Sequence, residues 1–207
     1  MELKGMTREI SVRQRQARAL GMKGIQEFLN SPGDNFPTLR ERAMLCVAYD
    51  AMTRRSELIA IDVEDLKFLD DGTGRLLIRR SKTDQAGKGH VAYLSRQTVR
   101  YLKGWLKAAY IKEGAVFRRI IGRGTVTFDR KGRGRIGGRL SPEAVALAFK
   151  AVARYLKLPP EDIQSVSGHS VRVGATQDLL ALNVDLASVM REAVGRRCAC
   201  RCATVSM

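Results

Sequence analysis

Three short runs with the apolar pattern of β-strands, at 63–66, 75–79 and 90–94, lie within a chain that otherwise shows helical periodicity. Turn-forming residues separate the runs, first Asp70-Asp71-Gly72 and then the polar stretch 84–89. The strand runs are few and short, whereas the helical segments are long. The sequence therefore predicts a fold of the α+β class, mainly α, with one small three-stranded sheet.

Helical patterns account for most of the remaining chain, and two N-caps support them. Thr38 is followed three residues later by Glu41, which is the spacing of a capping box. Ser141 is followed by a proline at the first helical position. The predicted helices occupy 7–29, 54–61, 95–112, 141–158, 170–182 and 185–192, with a further helix starting at Thr38.

A change of composition divides the chain. Residues 31–37 are rich in proline, glycine and polar residues and are interpreted as a linker. Residues 1–30 are then the remnant of a separate helical domain, and 38–193 form the main domain. The tail 194–207 contains three cysteines and has no apolar face, so it is set apart as an irregular C-terminal segment.

Charge restricts the class of partner. The chain has 37 Lys and Arg against 21 Asp and Glu, a net charge of +16, which favours nucleic acid first and an anionic membrane second. No apolar run approaches the roughly 20 residues that cross a bilayer, and no signal-peptide core is present. We expect a cytoplasmic chain with reduced thiols. The spacing Cys198-x-Cys200-x-Cys202 lacks a fourth ligand for closed zinc coordination, so we expect no metal.

Four basic residues stand out by their context, namely Arg54, Lys82, His169 and Arg172. Arg54 has Glu57 three residues later, which can orient its guanidinium, although on spacing alone a solvated salt bridge is favoured about two to one. His169 and Arg172 share the first turn of a predicted helix, where imidazole, guanidinium and helix N-terminus together suit a phosphate. The alternative is a histidine that caps its own helix.

Further basic residues lie in predicted loops. Lys82 lies at the tip of a predicted hairpin, where lysines are usually only solvated. Gly alternates with Arg and Lys between 122 and 139, a segment that we predict to be a loop or loose hairpin. The basic residues in and just before it are typical either of a phosphate-binding surface or of a flexible solubilising loop. They are Arg118, Arg119, Arg123, Arg130, Lys131, Arg133 and Arg135.

Three sequence blocks resemble the tyrosine recombinases, the phage integrase family, and most of all its Cre-like members. TRRSELIAIDVEDL, then RSKT after a strand, then SGHSVRVGATQDLL occur in the family's order. The resemblance extends from about residue 39 to residue 190. It implies the family's catalytic-domain fold, largely α with a small antiparallel sheet. It also implies double-stranded DNA as substrate, a homo-oligomer assembled on that DNA, and no cofactor.

The resemblance also implies roles for individual residues. Arg54 matches the first catalytic arginine, with Glu57 as its supporting acid, and His169 and Arg172 match the His-x-x-Arg box. Lys82 matches the lysine of the sheet hairpin. In the family a tyrosine hydroxyl attacks the phosphodiester and forms a 3′-phosphotyrosine. The arginines then neutralise the phosphate oxygens, while lysine and histidine handle protons.

One feature of the family has no counterpart in this sequence. All five tyrosines precede His169, whereas the family's nucleophile follows the His-x-x-Arg box. A one-base frameshift near codon 193 would place tryptophan at position 195 and tyrosine at position 204, the family's spacing; an unrelated tail is the alternative. We therefore expect a recombinase that is inactive as written. The alternatives are a catalytically dead DNA- or RNA-binding module, or a subunit that uses a tyrosine supplied in trans.

Overall fold

The computed structural model of the chain describes residues 17–33, 35–79, 89–120, 136–185 and 188. Its helices are α1 (Met22–Leu29), α2 (Phe36–Asp50), α3 (Arg55–Ala60), α4 (Arg96–Ala108), α5 (Pro142–Tyr155), α6 (Pro160–Ser165) and α7 (Ser170–Ala181). Its strands are β1 (Leu66–Phe68), β2 (Gly74–Ile78), β3 (His90–Leu94), β4 (Arg118–Ile120) and β5 (Ile136–Arg139). The expectation of a mainly α fold with a small antiparallel sheet is confirmed.

The three-stranded sheet has the order β1-β2-β3, and both pairs are antiparallel. Its register places Leu76 opposite both Leu66 and Ala92, so the buried positions of β2 and β3 face the helices. The strand predicted at 63–66 begins late, because residues 63–65 form a 3₁₀ turn. The Asp65 carboxylate accepts the Asp62 N–H at 3.0 Å, and this local bond competes with the sheet ladder.

Helix α2 lies at the centre of the molecule and contacts α1, α4, α5 and α7. Its residues Ala43 to Ala48 are all buried, which a helix surrounded on several sides requires. Trp105 of α4 is fully buried, and its indole N–H donates to the Val116 carbonyl at 2.8 Å. The last turn of α2 leads through residues 51–54 into α3, so the packing of α2 fixes where that turn lies.

Two predicted helices differ from the structure toward their N-terminal ends. Helix α2 is capped by Asn35, whose Oδ1 accepts the Thr38 N–H at 2.9 Å, so Thr38 donates at the third helical position. Of the helix predicted at 7–29, residues 7–16 lie outside the described part of the chain, and helix α1 begins only at Met22. Residues 17–21 are non-helical because their backbone bonds to other elements, as Leu20 N–H does to the Ser170 carbonyl at 2.9 Å.

Other local predictions agree with the structure. The Ser141 hydroxyl accepts the Ala144 N–H at the start of α5. Strand β5 lies in the segment predicted as a loop or loose hairpin and pairs antiparallel with β4, which lies just before that segment. Helix α6, with six residues, was not predicted, since so short a helix leaves little periodicity to detect. Among the described residues, none of the helices combines the length and the apolar character of a membrane span.

The N-terminal part of the described chain shares the core of the rest. Leu20, Ile25, Phe28 and Leu29 are buried in the same apolar cluster as the residues of α2, α4 and α5. The Phe28 ring meets that of Tyr155 edge to face, with centroids 5.3 Å apart. The division of the chain at residue 30 stays a prediction.

Candidate active site

Arg54 precedes the first turn of α3, and Glu57 holds it in place. One Glu57 oxygen accepts the Arg54 backbone N–H at 2.8 Å, and the other accepts Arg54 Nη1 at 2.7 Å. The Glu57 side chain is only 6% exposed, against 21% for Arg54. Spacing alone had favoured a solvated surface pair, but a buried carboxylate that binds both the backbone and the guanidinium fixes the orientation of the arginine.

Arg172 extends from the first turn of α7 toward the same turn of the chain. Its Nη1 donates to the Met52 carbonyl at 2.9 Å, two residues before Arg54. Met52 has a φ of 44°, in the left-handed region, and the turn it forms aims this carbonyl at α7. Burial, and then the nearby positive charge of Arg54, lower the pKa of Arg172. The positive charges of Arg54 and Arg172 therefore lie close enough to interact, with the Glu57 carboxylate near both, and a bound anion would stabilise the pair further.

His169 occupies the N-cap position of α7 and is exposed. Within the described chain its imidazole makes no capping bond to its own helix, so the alternative of a self-capping histidine does not describe it. The turn before α7 is instead closed by Ser170, whose buried hydroxyl accepts the Ser167 N–H at 2.9 Å. The His169 imidazole therefore does not cap α7, and it lies at the N-terminus of the helix that carries Arg172.

The remaining candidate residues divide into two groups. Arg118 donates to the carbonyls of Ala115, at 2.8 Å, and Glu113, so it stabilises the loop that precedes β4. Arg119 is exposed on β4. Residues outside the described part of the chain are Lys82, Arg123, Arg130, Lys131, Arg133 and Arg135, together with the three C-terminal cysteines.

The sequence reasoning missed an ionic network beside the sheet. Arg79, at the end of β2, donates through Nε to Asp65 at 2.6 Å and lies 3.7 Å from Asp62. Arg139, at the end of β5, donates to the other oxygen of Asp62 at 2.5 Å and to the Ile59 carbonyl at 2.6 Å. Asp62, just after α3, therefore binds arginines at the ends of both β2 and β5. The signal was weak, since each of these residues reads as an ordinary surface charge.

Sequence comparison decides the family. The sequence model of the phage integrase family matches residues 19–193, which is most of the chain. The chain belongs to the phage integrase family, the tyrosine recombinases. It is 32% identical over 160 residues to an integrase/recombinase xerD homolog of Selenomonas ruminantium, and 26% identical over 165 residues to the recombinase Cre of Escherichia phage P1.

The matches cover 74% and 76% of this phage integrase family member, but only 43% and 46% of those two relatives. The chain thus spans less than half the length of the curated relatives that it matches. Solved structures with the same fold include a XerH site-specific recombinase bound to a palindromic difH substrate in a post-cleavage complex. That structure has a TM-score of 0.60 at 15% identity, covering 87% of this chain and 46% of that one. The XerA recombinase has a TM-score of 0.61 at 14% identity, covering 89% of this chain and 57% of that one.

Proposed function

We propose that this chain binds double-stranded DNA as the catalytic portion of a site-specific recombinase, with one phosphodiester held between Arg54 and Arg172. The observation that carries the proposal is the convergence of these two guanidinium groups, one fixed by buried Glu57 and the other by the Met52 carbonyl. Guanidinium groups bind pairs of phosphate oxygens with directional, charge-assisted hydrogen bonds. Exposed His169 stands at the N-terminus of the same helix as Arg172 and can donate to the same anion.

The proposed reaction is that of the family. A tyrosine oxygen attacks phosphorus, the bond from phosphorus to the 5′ oxygen breaks, and a 3′-phosphotyrosine and a free 5′ hydroxyl result. Arg54 and Arg172 would neutralise the charge on the non-bridging oxygens as it builds in the transition state. His169 would handle the tyrosine proton, and Lys82 would protonate the leaving oxygen. Attack by another strand's 5′ hydroxyl reverses the step and rejoins the DNA.

The tyrosine has to come from elsewhere for this reaction to occur. Every tyrosine of the sequence precedes His169, so we propose that the chain as written binds DNA without cleaving it. The catalytic alternative is a second protein that supplies a tyrosine in trans, because further copies of this chain in a homo-oligomer on DNA also lack a tyrosine after His169. We place this activity in the cytoplasm, where the DNA is accessible and the thiols remain reduced.

The decisive experiment compares two arginine variants that remove the same charge. Arg172→Ala should weaken binding of a DNA duplex by about tenfold or more, because it removes a charged, partly buried phosphate contact. Arg100→Ala is the matched control, since Arg100 is exposed on α4 and stacks on Tyr101. We expect this control to change affinity by less than about threefold. Equal effects of the two variants would contradict a specific phosphate site.

The same assay separates DNA from RNA, and binding from cleavage. Affinity should fall steeply as salt rises, because neutralised phosphates release counterions. A preference for single-stranded RNA that is insensitive to Arg54→Ala and Arg172→Ala would favour the RNA-binding alternative. A covalent adduct on a nicked suicide substrate, formed only when a tyrosine-bearing recombinase subunit is added, would establish catalysis in trans.

A further inference from the structure

Two hydrogen bonds join α7 to the end of α2 and the turn that follows it. One is the bond from Arg172 Nη1 to the Met52 carbonyl described above. The other runs from the Tyr49 hydroxyl, in the last turn of α2, to Asp178 Oδ2 at 2.9 Å. Because Tyr49 lies three residues before Met52 and five before Arg54, both bonds act on the short segment that sets the spacing of the two arginines.

The Asp178 carboxylate is itself held by a third element. Its Oδ2 accepts the Met22 N–H, at the start of α1, at 2.6 Å. The partial positive charge of a helix N-terminus favours a carboxylate at this place. A Cβ added to Gly21 would lie 3.0 Å from both Asp178 oxygens, so the backbone approaches this carboxylate as closely as a glycine permits. Asp178 therefore connects α1, α2 and α7 at one point.

The Tyr49 hydroxyl is a dependable donor in this arrangement. Burial, and then its hydrogen bond to Asp178, raise the pKa of Tyr49 above its ordinary value of 10. The phenol is therefore protonated at neutral pH and can donate its proton to the Asp178 carboxylate. The Tyr49 and Asp178 side chains are both only partly exposed.

We propose that Tyr49 and Asp178 are positioning residues that set the separation of Arg54 and Arg172. They do so by fixing α7 against the last turn of α2, and neither belongs to the group of residues assigned to bind the phosphate. The inference rests on the proposed function, because the separation of the two arginines matters for binding only if they hold the same phosphate. If the bond between Tyr49 and Asp178 contributed only to stability, removing it would not change how Arg172 contributes to DNA binding.

A double-mutant cycle on DNA affinity tests this role. Tyr49→Phe deletes only the hydroxyl, and we expect about a threefold loss of affinity for a DNA duplex, since only part of the free energy of this bond to a carboxylate acts on the position of Arg172. In the Arg172→Ala background the same change should cost nothing, since no arginine remains to be misplaced. Tyr101→Phe is the matched control, because it also removes one interhelical hydroxyl bond, to the Leu29 carbonyl at 3.2 Å. It should lower stability without changing affinity in either background.

A second measurement keeps the inference independent of DNA. The Arg172 Nε–H resonance, assigned from an Arg172→Lys spectrum, should shift in Tyr49→Phe and in Asp178→Asn and stay in place in Tyr101→Phe. An unshifted resonance, or an equal affinity loss of Tyr49→Phe in both backgrounds, overturns the positioning role. If Arg172→Ala binds DNA as well as the unmodified chain, the proposed function fails, while the resonance still decides the positioning role.

Discussion

Gly174, in the middle of α7, is the position where one methyl group should do the most damage. A Cβ built there would lie 2.6 Å from the Gly21 nitrogen and closer still to the carbonyl of Leu20. Real Cβ atoms essentially never show contacts below 3.0 Å, and both neighbours are backbone, which cannot rotate away. Gly174→Ala must therefore push residues 20–21 off α7.

That displacement has a cost that the structure allows us to bracket. Moving the Gly21 nitrogen to the 3.4 Å of ordinary contact stretches two bonds, Leu20 N–H to Ser170 at 2.9 Å and Met22 N–H to Asp178 at 2.6 Å. Overpacking of this kind typically costs about 1–3 kcal/mol. Alanine in place of a helical glycine returns about 0.5–1 kcal/mol. The difference of these ranges is a net loss of about 0–2.5 kcal/mol in the free energy of unfolding, and we expect its upper half because the clashing atoms belong to the backbone.

Gly104 supplies the matched control. It lies in α4, is exposed, and has no atom within 4 Å of the position of an added Cβ. Gly104→Ala should raise the free energy of unfolding by about 0.5–1 kcal/mol, because only the backbone term remains. The assay is urea unfolding followed by far-UV circular dichroism, with both variants compared at equal slope. If Gly174→Ala is as stable as Gly104→Ala, the close approach of residues 20–21 to α7 is refuted.

Two further predictions concern charged groups. Burial raises the pKa of Glu41 to about 7. The positive charge of Arg40, 3.9 Å away, lowers this pKa by less than burial raises it. Since the folded pKa exceeds the unfolded value, Glu41 contributes stability below about pH 4.5 that is lost as the pH rises through 7. This loss is on the order of 3 kcal/mol in the free energy of unfolding. Urea unfolding as a function of pH should show the loss in the unmodified protein and not in Glu41→Gln. If the free energies of unfolding of the two proteins change with pH in parallel, the raised pKa of Glu41 is contradicted. Asp65→Ala should cost about 1–2 kcal/mol in urea unfolding, because its buried carboxylate holds the Asp62 N–H, whereas Arg79→Ala, at an exposed position, should cost less than about 0.5 kcal/mol. Equal losses for the two variants would show that Asp65 stabilises the fold through its ion pair with Arg79 and not through its bond to the Asp62 N–H.

Much of the site could be expected from local spacing. The pairs Arg54 with Glu57 and His169 with Arg172 each fall within one helical turn, so secondary structure alone brings their members together. The cap at Ser141 and the limits of β3 are likewise properties of a few adjacent residues, and the structure agrees with both. Helix starts were less predictable where a distant partner intervenes, as Asp178 does at Met22 across 156 residues of sequence.

The sequence by itself determined which charged groups this chain possesses, where most helices and strands lie, and the family to which it belongs, because those depend on residue types and short-range periodicity. Only the tertiary structure decided that Glu57 is buried and not a solvated surface partner, and that Arg172 meets the carbonyl of Met52. It also decided that Gly174 has to be a glycine, since the atoms that exclude a methyl group belong to Leu20 and Gly21. Burial and close approach arise from elements that are far apart in sequence, and no local pattern records which of them will meet.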